Sequence, residues 1–561
     1  MVSKGSASHR LTEISHGISR RALLGRGAAL AAVGILQACT PAGTGPAPAT
    51  TAPTAAPSAA PTGPIRGGRM ITASSADPAT FNPGISTLFT TWRASAGLYN
   101  SLIQLNSKYE AVPDAAERWT ISPDGLRYEF KLKSGIKFHD GTDLTSADVK
   151  YSMLEVSAKY NSQAIGPYAN IDKIDTPDPQ TVVINLKAPT PALLIALGGA
   201  QLTILSRALY EGSDPRQNPR NQNPVGSGPF KFKEWVKGSS VTLVRNESYF
   251  KPGRPYLDQI TVLIAPDAQT RNAAFTKGEI DYMDSAVVAR DSIAQLRQQI
   301  SGIQVNERSQ LPSVLLLSFN TKRPNLSDVR VRQALATAID RKTVVEKGYF
   351  GVGGAPSISF IPPALASFHN PNTKLPAFDT TLANKMLDDA GVKRGGDGTR
   401  FRINLKYDQG VRQYQGSVAT IRDNLKEVGV DLQLVPIANA EVGPLYESKD
   451  FDLIIVELGT GGDPVVGIQR SYTTKQIGIR FGNGSDYSNA VVDKGFEDGA
   501  TTADLEKRKA AYFAVQEQLL KDMPTLPLAD VFGVDIGRPE MRGLFEQAYS
   551  YYSADSVWRQ P

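Results

Sequence analysis

Histidine and cysteine, the side chains that most often bind transition metals or assist a nucleophile, are scarce in this chain. Its 561 residues include one cysteine, Cys39, and four histidines, of which His9 and His16 lie near the N-terminus. His139 and His369 remain for the body of the protein, and they are far apart in the sequence. Transition metals usually need several such ligands at short spacing. We therefore expect no His/Cys metal site and no cofactor, and a structural role for His139.

The sequence motifs of common enzymes are also missing. No Gly-Lys pair occurs, which excludes a Walker A loop, and there is no His-Glu-x-x-His pattern. Gly459-Thr460-Gly461 could begin a dinucleotide fingerprint, but its sixth position is Pro464, which has no backbone N–H to donate to a phosphate. We therefore expect no enzyme activity, although paired carboxylates for glycoside chemistry stay open as an alternative.

The N-terminal segment has the features of an export signal. Arg20-Arg21 precede an apolar run, 27–36, that is too short to cross a bilayer core of about 30 Å. The arginine pair resembles a twin-arginine signal, and the Leu-Gln-Ala-Cys stretch that ends at Cys39 resembles a lipobox, in which the cysteine is acylated. We predict a signal peptide over 1–38 and a lipid anchor on Cys39; a signal cleaved elsewhere is the alternative.

A tether is predicted to follow the anchor, over residues 39–64. After Cys39 it contains only Ala, Pro, Thr, Gly and Ser. Such a segment has no large apolar side chain to bury, so nothing offsets the entropy of ordering its backbone. The folded body is therefore expected to begin near Ile65 and to lie outside the cytoplasm, held at a membrane by its lipid.

The net charge gives no support for nucleic-acid binding. Lysine and arginine outnumber aspartate and glutamate by 61 to 55, a formal charge of +6. Most of this surplus lies in residues 1–38, which hold five basic residues and one acidic residue. A body so close to neutral creates no field that would steer phosphate backbones. We therefore expect no nucleic-acid partner.

The most regular pattern of the body lies in residues 401–456. Strand and helix patterns alternate there, in the order Phe401–Tyr407, Tyr414–Val428, Val430–Pro436, Ala440–Ser448 and Phe451–Val456. This β-α-β-α-β order predicts a parallel sheet with right-handed crossovers. Ligands bind beyond the carboxyl ends of such strands, so the loops Asp408–Tyr414 and Glu457–Asp463 are the first candidate sites.

The rest of the body mixes strands and helices. Pro123-Asp124-Gly125 predicts the turn of a β-hairpin, and Ser327 is expected to cap one helix that continues to Val345. The other predicted elements are a helix from Thr145 to Leu154, strands over Thr181–Leu186 and Val241–Arg245, and a helix over Thr381–Ala390.

Several segments of the body together resemble one protein family. They include Ser-Pro-Asp-Gly at 122–125, Phe-His-Asp-Gly at 138–141, Gly-Ser-Gly-Pro-Phe at 226–230, Arg-Asn-Glu-Ser-Tyr-Phe at 245–250 and Asp-Val-Arg-Val-Arg at 328–332. From about Gly67 to Gly543 the chain resembles the solute-binding proteins of peptide/nickel/opine-type ABC importers. Most of these motifs are expected to hold the fold rather than the ligand.

The resemblance implies a two-lobed α/β protein of the periplasmic-binding-protein type, with mixed and parallel sheets and a ligand cleft between the lobes. The first lobe, with an extra subdomain, would comprise 65–318 and 526–561, and the second lobe 319–525. The chain would cross between them near Leu316–Asn320 and Pro524–Leu528. The closed form would dock on an ABC permease, and we expect the protein to be a monomer.

The resemblance also indicates where this chain differs from its relatives. In dipeptide and oligopeptide relatives, the loop after the last strand of the second lobe carries a tryptophan and then an aspartate that pairs with the α-ammonium of the peptide. An alignment on Asp463-Pro464 puts Glu457 at the tryptophan position and Thr460 at the aspartate position. A hydroxyl supplies no compensating charge. Glu457, Thr460 and Asp463 are predicted ligand-binding residues, and Glu457 either restores a negative charge or faces solvent.

Two further segments are predicted to reach the ligand. Thr90-Thr91-Trp92 falls in the early segment that lines the cleft in relatives, where Trp92 could stack on an apolar or sugar ring or could belong to the core. Arg412 falls near the position where dipeptide relatives place an arginine for the ligand carboxylate; a solvated surface arginine is the alternative.

The predicted function is the substrate-binding component of an ABC importer, which captures an oligopeptide-like solute and passes it to the permease. The ligand could instead be an opine, a polyol, an oligosaccharide or a metal chelate. Outside this class, the alternatives are a surface lipoprotein hydrolase that uses the same fold and a partner of a signalling receptor.

Overall fold

The structure is a computed structural model that describes residues 63–161, 163–198, 202–479, 481–548 and 554–561. All of these residues belong to one unit, Pro61–Pro561. The predicted export signal with Arg20 and Arg21, the predicted anchor Cys39 and nearly all of the tether lie outside the described residues. Among the helices of the described part, none has the length and apolar character needed to cross a membrane.

The strands are short in the outer parts of the fold and long at its centre. They are β1 Arg69–Ser74, β2 Ile103–Leu105, β3 Ala111–Pro113, β4 Ala116–Ile121, β5 Arg127–Leu132, β6 Ile171–Asp178, β7 Thr181–Leu186, β8 Phe230–Val236, β9 Ser240–Arg245, β10 Gln259–Ile264, β11 Tyr282–Met283, β12 Gln304–Phe319, β13 Gly354–Pro356, β14 Phe401–Asp408, β15 Val430–Ile437, β16 Leu453–Gly459, β17 Thr525–Gly537, β18 Met541–Arg542 and β19 Trp558–Arg559.

The described α-helices of more than ten residues lie in the C-terminal half of the chain. The helices are α1 Phe89–Ala94, α2 Ser146–Tyr151, α3 Ala158–Tyr160, α4 Ile165–Tyr168, α5 Leu193–Ala196, α6 Arg207–Tyr210, α7 Ala268–Lys277, α8 Ile293–Gln299, α9 Val329–Ala338, α10 Arg341–Tyr349, α11 Thr380–Asp389, α12 Arg412–Glu427, α13 Asn439–Ser448, α14 Ala490–Ala500 and α15 Leu505–Asp522. Short 3-10 turns include Arg290–Ser292 and Gln469–Ser471, and Pro464–Ile468 forms a π-helical turn.

Most strands form one mixed sheet in the order β15-β14-β16-β12-β17-β11-β1-β10-β9-β8, with β13 beside β17. β14 is parallel to β15 and β16 in one half, and β1 is parallel to β10 and β11 in the other. The antiparallel strands β12 and β17 connect the halves. We call the half with β14, β15 and β16 the second lobe and the half with β1 and β8–β11 the first lobe. The predicted mixed α/β fold class is confirmed.

The predicted β-α-β-α-β unit is confirmed in the second lobe. It consists of β14, α12, β15, α13 and β16, and the strands pair in parallel. α12 buries Val418, Ile421 and Leu425 in the core of this lobe, which is the apolar face that its sequence predicts. The chain turns after α12 at Gly429, whose φ of 81° suits glycine. The carboxyl end of β16 consequently leads directly into the predicted site loop.

The first lobe carries an additional four-stranded antiparallel sheet, in the order β4-β5-β7-β6. The predicted hairpin is its β4–β5 pair, and Gly125 takes the left-handed conformation in the turn, with φ 69°. The predicted helix after Thr145 is α2, which is capped where the Thr145 N–H donates to the Asp148 carboxylate at 2.8 Å. The sheet and this helix share one apolar core, separate from that of the second lobe.

One predicted helix is divided in the structure. The expected helix from Ser327 to Val345 is two helices, α9 and α10, because Asp340 leaves the helical path and caps the second of them by accepting from the Lys342 N–H at 3.0 Å. The first cap is Asp328, which accepts from the Arg330 N–H at 2.8 Å, and not Ser327. The apolar face that suggested one helix is shared between two packed helices.

His139 has the predicted structural role. The Gly226 N–H donates to His139 Nδ1 at 3.1 Å, so the neutral ring carries its proton on Nε2 and donates it to the Gly228 carbonyl, also at 3.1 Å. Burial lowers the pKa of His139 to about 4. The Gly-Ser-Gly-Pro-Phe motif at 226–230 lies inside the first lobe, where the Gly228 N–H donates to the Leu98 carbonyl at 2.9 Å.

The central strands change register where the two lobes meet. Arg308 of β12 pairs with Gly533 of β17, but the next pair is Ser313 with Val531, so residues 309–312 form a bulge. On the C-terminal side of the bulge, β12 also pairs with β16 of the second lobe. At the other end of the β12–β17 ladder, β17 pairs with β11 of the first lobe. Leu316–Asn320 and Pro524–Leu528, where the chain is predicted to cross between the lobes, lie mostly in the parts of β12 and β17 on the second-lobe side of the bulge. The crossings themselves stay a prediction.

Candidate functional site

A cleft of about 1130 Å³ lies over the bulge of the central strands. Its first-lobe wall includes Trp92, Tyr109 and Ile195, and its second-lobe wall comes from the loop after β16. The central strands contribute Glu307, Arg308 and residues 531–533. The cleft is therefore lined by both lobes and by the strands that connect them. Its volume exceeds the roughly 300–1,000 Å³ of most small-molecule pockets.

The loop after β16 is held tightly against the central strands. The Thr460 hydroxyl donates to the Pro312 carbonyl at 2.8 Å, and Pro312 belongs to the bulge. Gly467 lies so close to this loop that a Cβ there would collide with the Gly459 carbonyl oxygen. Thr460 lines the cleft, but its hydroxyl proton is already used within the protein. The Thr460 side chain therefore presents a hydroxyl lone pair and a methyl group in the cleft wall, and no charge.

Glu457 also lines the cleft, as the sequence analysis expected of a pocket residue. Burial raises the pKa of its carboxyl, and the nearby Arg290 charge and hydrogen bonds from Ser313 and Tyr349 act in the opposite direction. The Tyr349 hydroxyl donates to it at 3.3 Å. The backbone N–H of Glu457 donates to the Tyr414 hydroxyl at 2.7 Å. The Glu457 carboxyl is thus hydrogen-bonded by Ser313 and Tyr349 and lies near the charge of Arg290, all within the protein.

Arg290 connects the first lobe with the second. It begins the 3-10 turn before α8, and its guanidinium donates to the carbonyls of Gly353 and Phe532, each at 2.8 Å, and of Val352 at 3.2 Å. The guanidinium also lies over the Tyr349 ring, 5.4 Å from its centroid. Gly353 has φ 72°, and a Cβ there would collide with Arg290, so only glycine fits. These contacts fix Arg290 in the cleft wall.

Trp92 is buried in the first-lobe wall and also lines the cleft. Its indole N–H donates to the Ser86 carbonyl at 3.1 Å, and its ring packs edge-on against Phe89 with centroids 5.4 Å apart. Thr90 and Thr91 precede it on α1 but do not line the cleft. Thr91 is fully buried, with its hydroxyl 3.2 Å from that of Ser86. Of the predicted segment, only Trp92 reaches the cleft.

Arg412 and Asp463 are both engaged away from the cleft lining. Arg412, whose side chain is 66% exposed at the start of α12, forms an ion pair at 2.6 Å with Asp291 of the first lobe. Asp463 is buried, and both of its carboxylate oxygens accept from Nη2 of Arg508, at 2.8 and 2.7 Å. Asp463 also caps the π-helical turn by accepting from the Val465 N–H at 3.0 Å. Each residue has a partner within the protein.

The sequence analysis missed several charged groups that line the cleft. They are Arg290, Glu307, Arg308 and Arg470. None lies in a segment that the resemblance marks as a pocket, and a single charged residue in a loop carries no pattern. The loop position of Arg470, a few residues after Asp463-Pro464, was the one available signal, because binding residues concentrate in loops at the carboxyl ends of parallel strands. Within the described part of the chain, no cluster of His, Cys, Asp or Glu could hold a metal ion.

Comparison with known proteins identifies the family. Residues 110–478 match the sequence profile of bacterial extracellular solute-binding proteins, family 5. The chain belongs to this family. The oligopeptide-binding protein AppA of Bacillus subtilis is 28% identical, over 82% of this chain and 86% of its own length. The dipeptide-binding protein of Escherichia coli is also 28% identical, over 84% of this chain and 91% of its own.

Solved structures give the same fold. The ABC transporter substrate-binding protein CtaP of Listeria monocytogenes superposes with a TM-score of 0.76 at 24% identity, covering 88% of this chain and all of that one. AppA of Bacillus subtilis in complex with a nonapeptide superposes with a TM-score of 0.68 at 25% identity, covering 89% and 100%. The predicted two-lobed fold is thereby confirmed. The predicted solute-binding function is confirmed by the family match. Members of this family are extracytoplasmic solute-binding proteins rather than enzymes.

Proposed function

We propose that this solute-binding protein captures a peptide-sized ligand in the cleft between its lobes and delivers it to an ABC permease without chemical turnover. One observation carries the proposal: a cleft of about 1130 Å³ is lined at once by both lobes and by the strands between them. A ligand there contacts both lobes and so stabilises their closed arrangement. The relatives named for oligopeptide and dipeptide binding support a peptide-like ligand.

The bulge of the central strands is the proposed hinge. Residues 309–312 have no pairing partner on β17, so their backbone can change while the two β12–β17 ladders on either side stay intact. Gly533, which pairs with Arg308 at the edge of the bulge, adds backbone freedom. This hinge lies a few residues from the crossings in the predicted lobe boundaries, 65–318 with 526–561 and 319–525, which otherwise remain our proposed division.

Among the predicted ligand-binding residues, we propose Trp92, Glu457 and Thr460 as ligand contacts because they line the cleft. Trp92 offers a ring face, and Thr460 offers a hydroxyl oxygen. Arg412 fits better as part of the contact between the lobes, because its ion pair joins them. Thr90, Thr91 and Asp463 fit better as supports of the two walls.

The ligand proposal is tested by native mass spectrometry of protein purified without denaturation. We expect one equivalent of a co-purified small molecule, which tandem mass spectrometry then identifies. The matched control is the same protein unfolded, dialysed and refolded, which should be empty and should rebind the identified molecule with one-to-one stoichiometry in calorimetry. Solution scattering should give a smaller radius of gyration for the bound form. Product that accumulates beyond one equivalent would instead support a hydrolase.

We also propose export by the twin-arginine route, acylation of Cys39 and a monomeric body tethered to the membrane. Two acyl chains give stable membrane attachment, whereas one gives marginal attachment. Cys39→Ala should therefore leave a soluble protein or an uncleaved precursor, and Arg20→Lys/Arg21→Lys should block export while keeping the charge. A Cys39→Ala protein that is processed normally and sediments with membranes like the parent would contradict the lipid anchor. Light scattering of the released body should give the mass of one chain.

A further inference from the structure

The charged groups of the cleft differ in how far the protein already satisfies them. Arg290 donates to three backbone carbonyls. Arg308 forms an ion pair with Asp535 at 3.2 Å. Glu307 accepts from the Gly353 N–H at 2.9 Å, and Glu457 accepts from the Tyr349 hydroxyl. These four charged groups of the cleft are thus largely compensated by partners within the protein.

Arg470 is the exception. It lies in the 3-10 turn that follows the π-helical turn, and its Nε–H donates to the Gly467 carbonyl at 3.2 Å. Within the described residues, no carboxylate lies within ion-pair distance of it. Burial lowers the pKa of Arg470, and the opposing influence is the phenol of Tyr446, which is neutral at physiological pH. A half-buried guanidinium therefore lines the cleft without a counter-charge.

Arg470 lies on the same stretch of the cleft wall as Thr460. Gly467 accepts from Arg470 and is packed directly on Gly459 and Thr460. The same stretch of wall therefore carries Thr460, whose hydroxyl is bound to Pro312, and the guanidinium of Arg470. Where the resemblance implies a carboxylate for a ligand ammonium, this protein has a neutral hydroxyl with a cation nearby. The carboxyl of this wall, Glu457, already accepts hydrogen bonds within the protein and lies near Arg290. The guanidinium of Arg470 consequently favours a negative charge on the ligand.

We infer that Arg470 anchors the ligand by binding an anionic group, a carboxylate or a phosphate, against the 457–470 wall. The inference rests on the proposed function and names the ligand class: a peptide-like solute that carries an anion and needs no free ammonium at this wall. The planar guanidinium suits both anions because it can donate two parallel N–H bonds. Partial desolvation strengthens this attraction relative to a surface site.

The test uses calorimetry on refolded, ligand-free full chain and a panel of probes that differ in charge. The probes are N-acetyl-Ala-Ala as the acid and as the C-terminal amide, N-acetyl-Ala-phosphoserine amide, free Ala-Ala and maltotriose. We expect the acid or the phosphorylated amide to bind at least about 10-fold more tightly than the neutral amide, since one charge-assisted hydrogen bond accounts for about 10- to 150-fold. The carboxylate and phosphate arms distinguish the two sources of anion.

Three variants separate the role of Arg470 from general effects. Arg470→Gln should weaken the preferred anionic probe by about 10- to 150-fold and leave the neutral amide unchanged, while Arg470→Lys should retain part of the preference. Arg422→Gln, in an exposed pair with Asp423, is the matched control and should change neither. An anion preference that survives Arg470→Gln, or tighter binding of a neutral probe by the parent, would overturn the inference and leave the proposed function intact. A protein that co-purifies with no solute and binds none of the probes would overturn both.

Discussion

The buried pair of Asp463 and Arg508 provides the sharpest test of how the site loop is held. Both side chains are 6% exposed, and Arg508 also donates to the Gly499 carbonyl at 2.7 Å. We predict that Asp463→Asn destabilises the protein by about 3–5 kcal/mol, because it leaves a buried guanidinium without its anion. Arg508→Met should have a similar effect, since it leaves the Asp463 carboxylate buried and unpaired.

The double variant decides between a loop anchor and a ligand group. Asp463→Asn/Arg508→Met leaves no unpaired buried charge, so it should be more stable than either single variant, with a coupling energy of about 2 kcal/mol or more. Urea unfolding of ligand-free protein, followed by tryptophan fluorescence at fixed pH, measures all four proteins. Asp423→Asn, in the exposed pair with Arg422, is the control and should change stability by less than about 1 kcal/mol.

Binding measurements on the folded proteins complete this test. If Asp463 is a loop anchor, the double variant should keep an affinity for the identified ligand that is close to the parent value. If Asp463→Asn unfolds at the parent's urea midpoint yet loses the ligand, then Asp463 contacts the ligand as the resemblance implied, and the reasoning from the ion pair is wrong.

Three further predictions follow from titratable groups and from the contact between the lobes. Burial raises the pKa of Asp530 from 3.8 to about 6, so its stabilising contribution is present below pH 4 and is lost as the pH rises through 6. In urea unfolding, Asp530→Asn should therefore be about 3 kcal/mol more stable than the parent at pH 8 and equally stable at pH 3.5. Burial lowers the pKa of His139 from 6.5 to about 4, so the stability that His139 contributes is present above pH 6.5 and is lost as the pH falls through 4. The stability difference between the parent and His139→Gln should therefore shrink by about 3 kcal/mol between pH 7 and pH 4. Arg412→Gln and Asp291→Asn should each weaken charged and neutral ligands alike, by at most about 5-fold in calorimetry, because an exposed pair is worth about 1 kcal/mol or less; a loss confined to carboxylate ligands would show that Arg412 binds the ligand itself.

The local elements were predictable because each depends on a pattern within a short segment. The unit 401–456 was read correctly from alternation and from the apolar face of α12, since both follow directly from burial on one side. The division between α9 and α10 was not, because Val331, Leu335 and Val345 form a continuous apolar pattern even though the chain turns at Asp340. An apolar pattern in the sequence shows which side chains are buried in the core. It does not show whether those side chains belong to one helix or to two.

A cleft residue could be predicted from the sequence only where its position on a strand already places it beside the cleft. Glu457 lies near the carboxyl end of β16, which is parallel to β14, so the topology alone already placed it beside the cleft. Asp463 lies only a few residues further along, yet its carboxylate points to Arg508, a partner from α15 that no local pattern connects to it. Arg412 likewise pairs with Asp291, which is distant in sequence. Long-range charge pairing is set by tertiary structure, which a single sequence does not display.

A half-buried cation without an ion-pair partner says more about the ligand than a cation that has one. Arg508 is a cation among buried groups, but Asp463 and backbone oxygens account for it, so it needs no ligand. Arg470 has one carbonyl and a neutral phenol nearby, and it lines the cleft. Keeping a half-buried charge uncompensated is unfavourable, and the unfavourable energy is recovered when an anion binds. The pairing of each charge among the described residues, rather than its alignment with relatives, therefore supports our inference that Arg470 binds an anionic group of the solute.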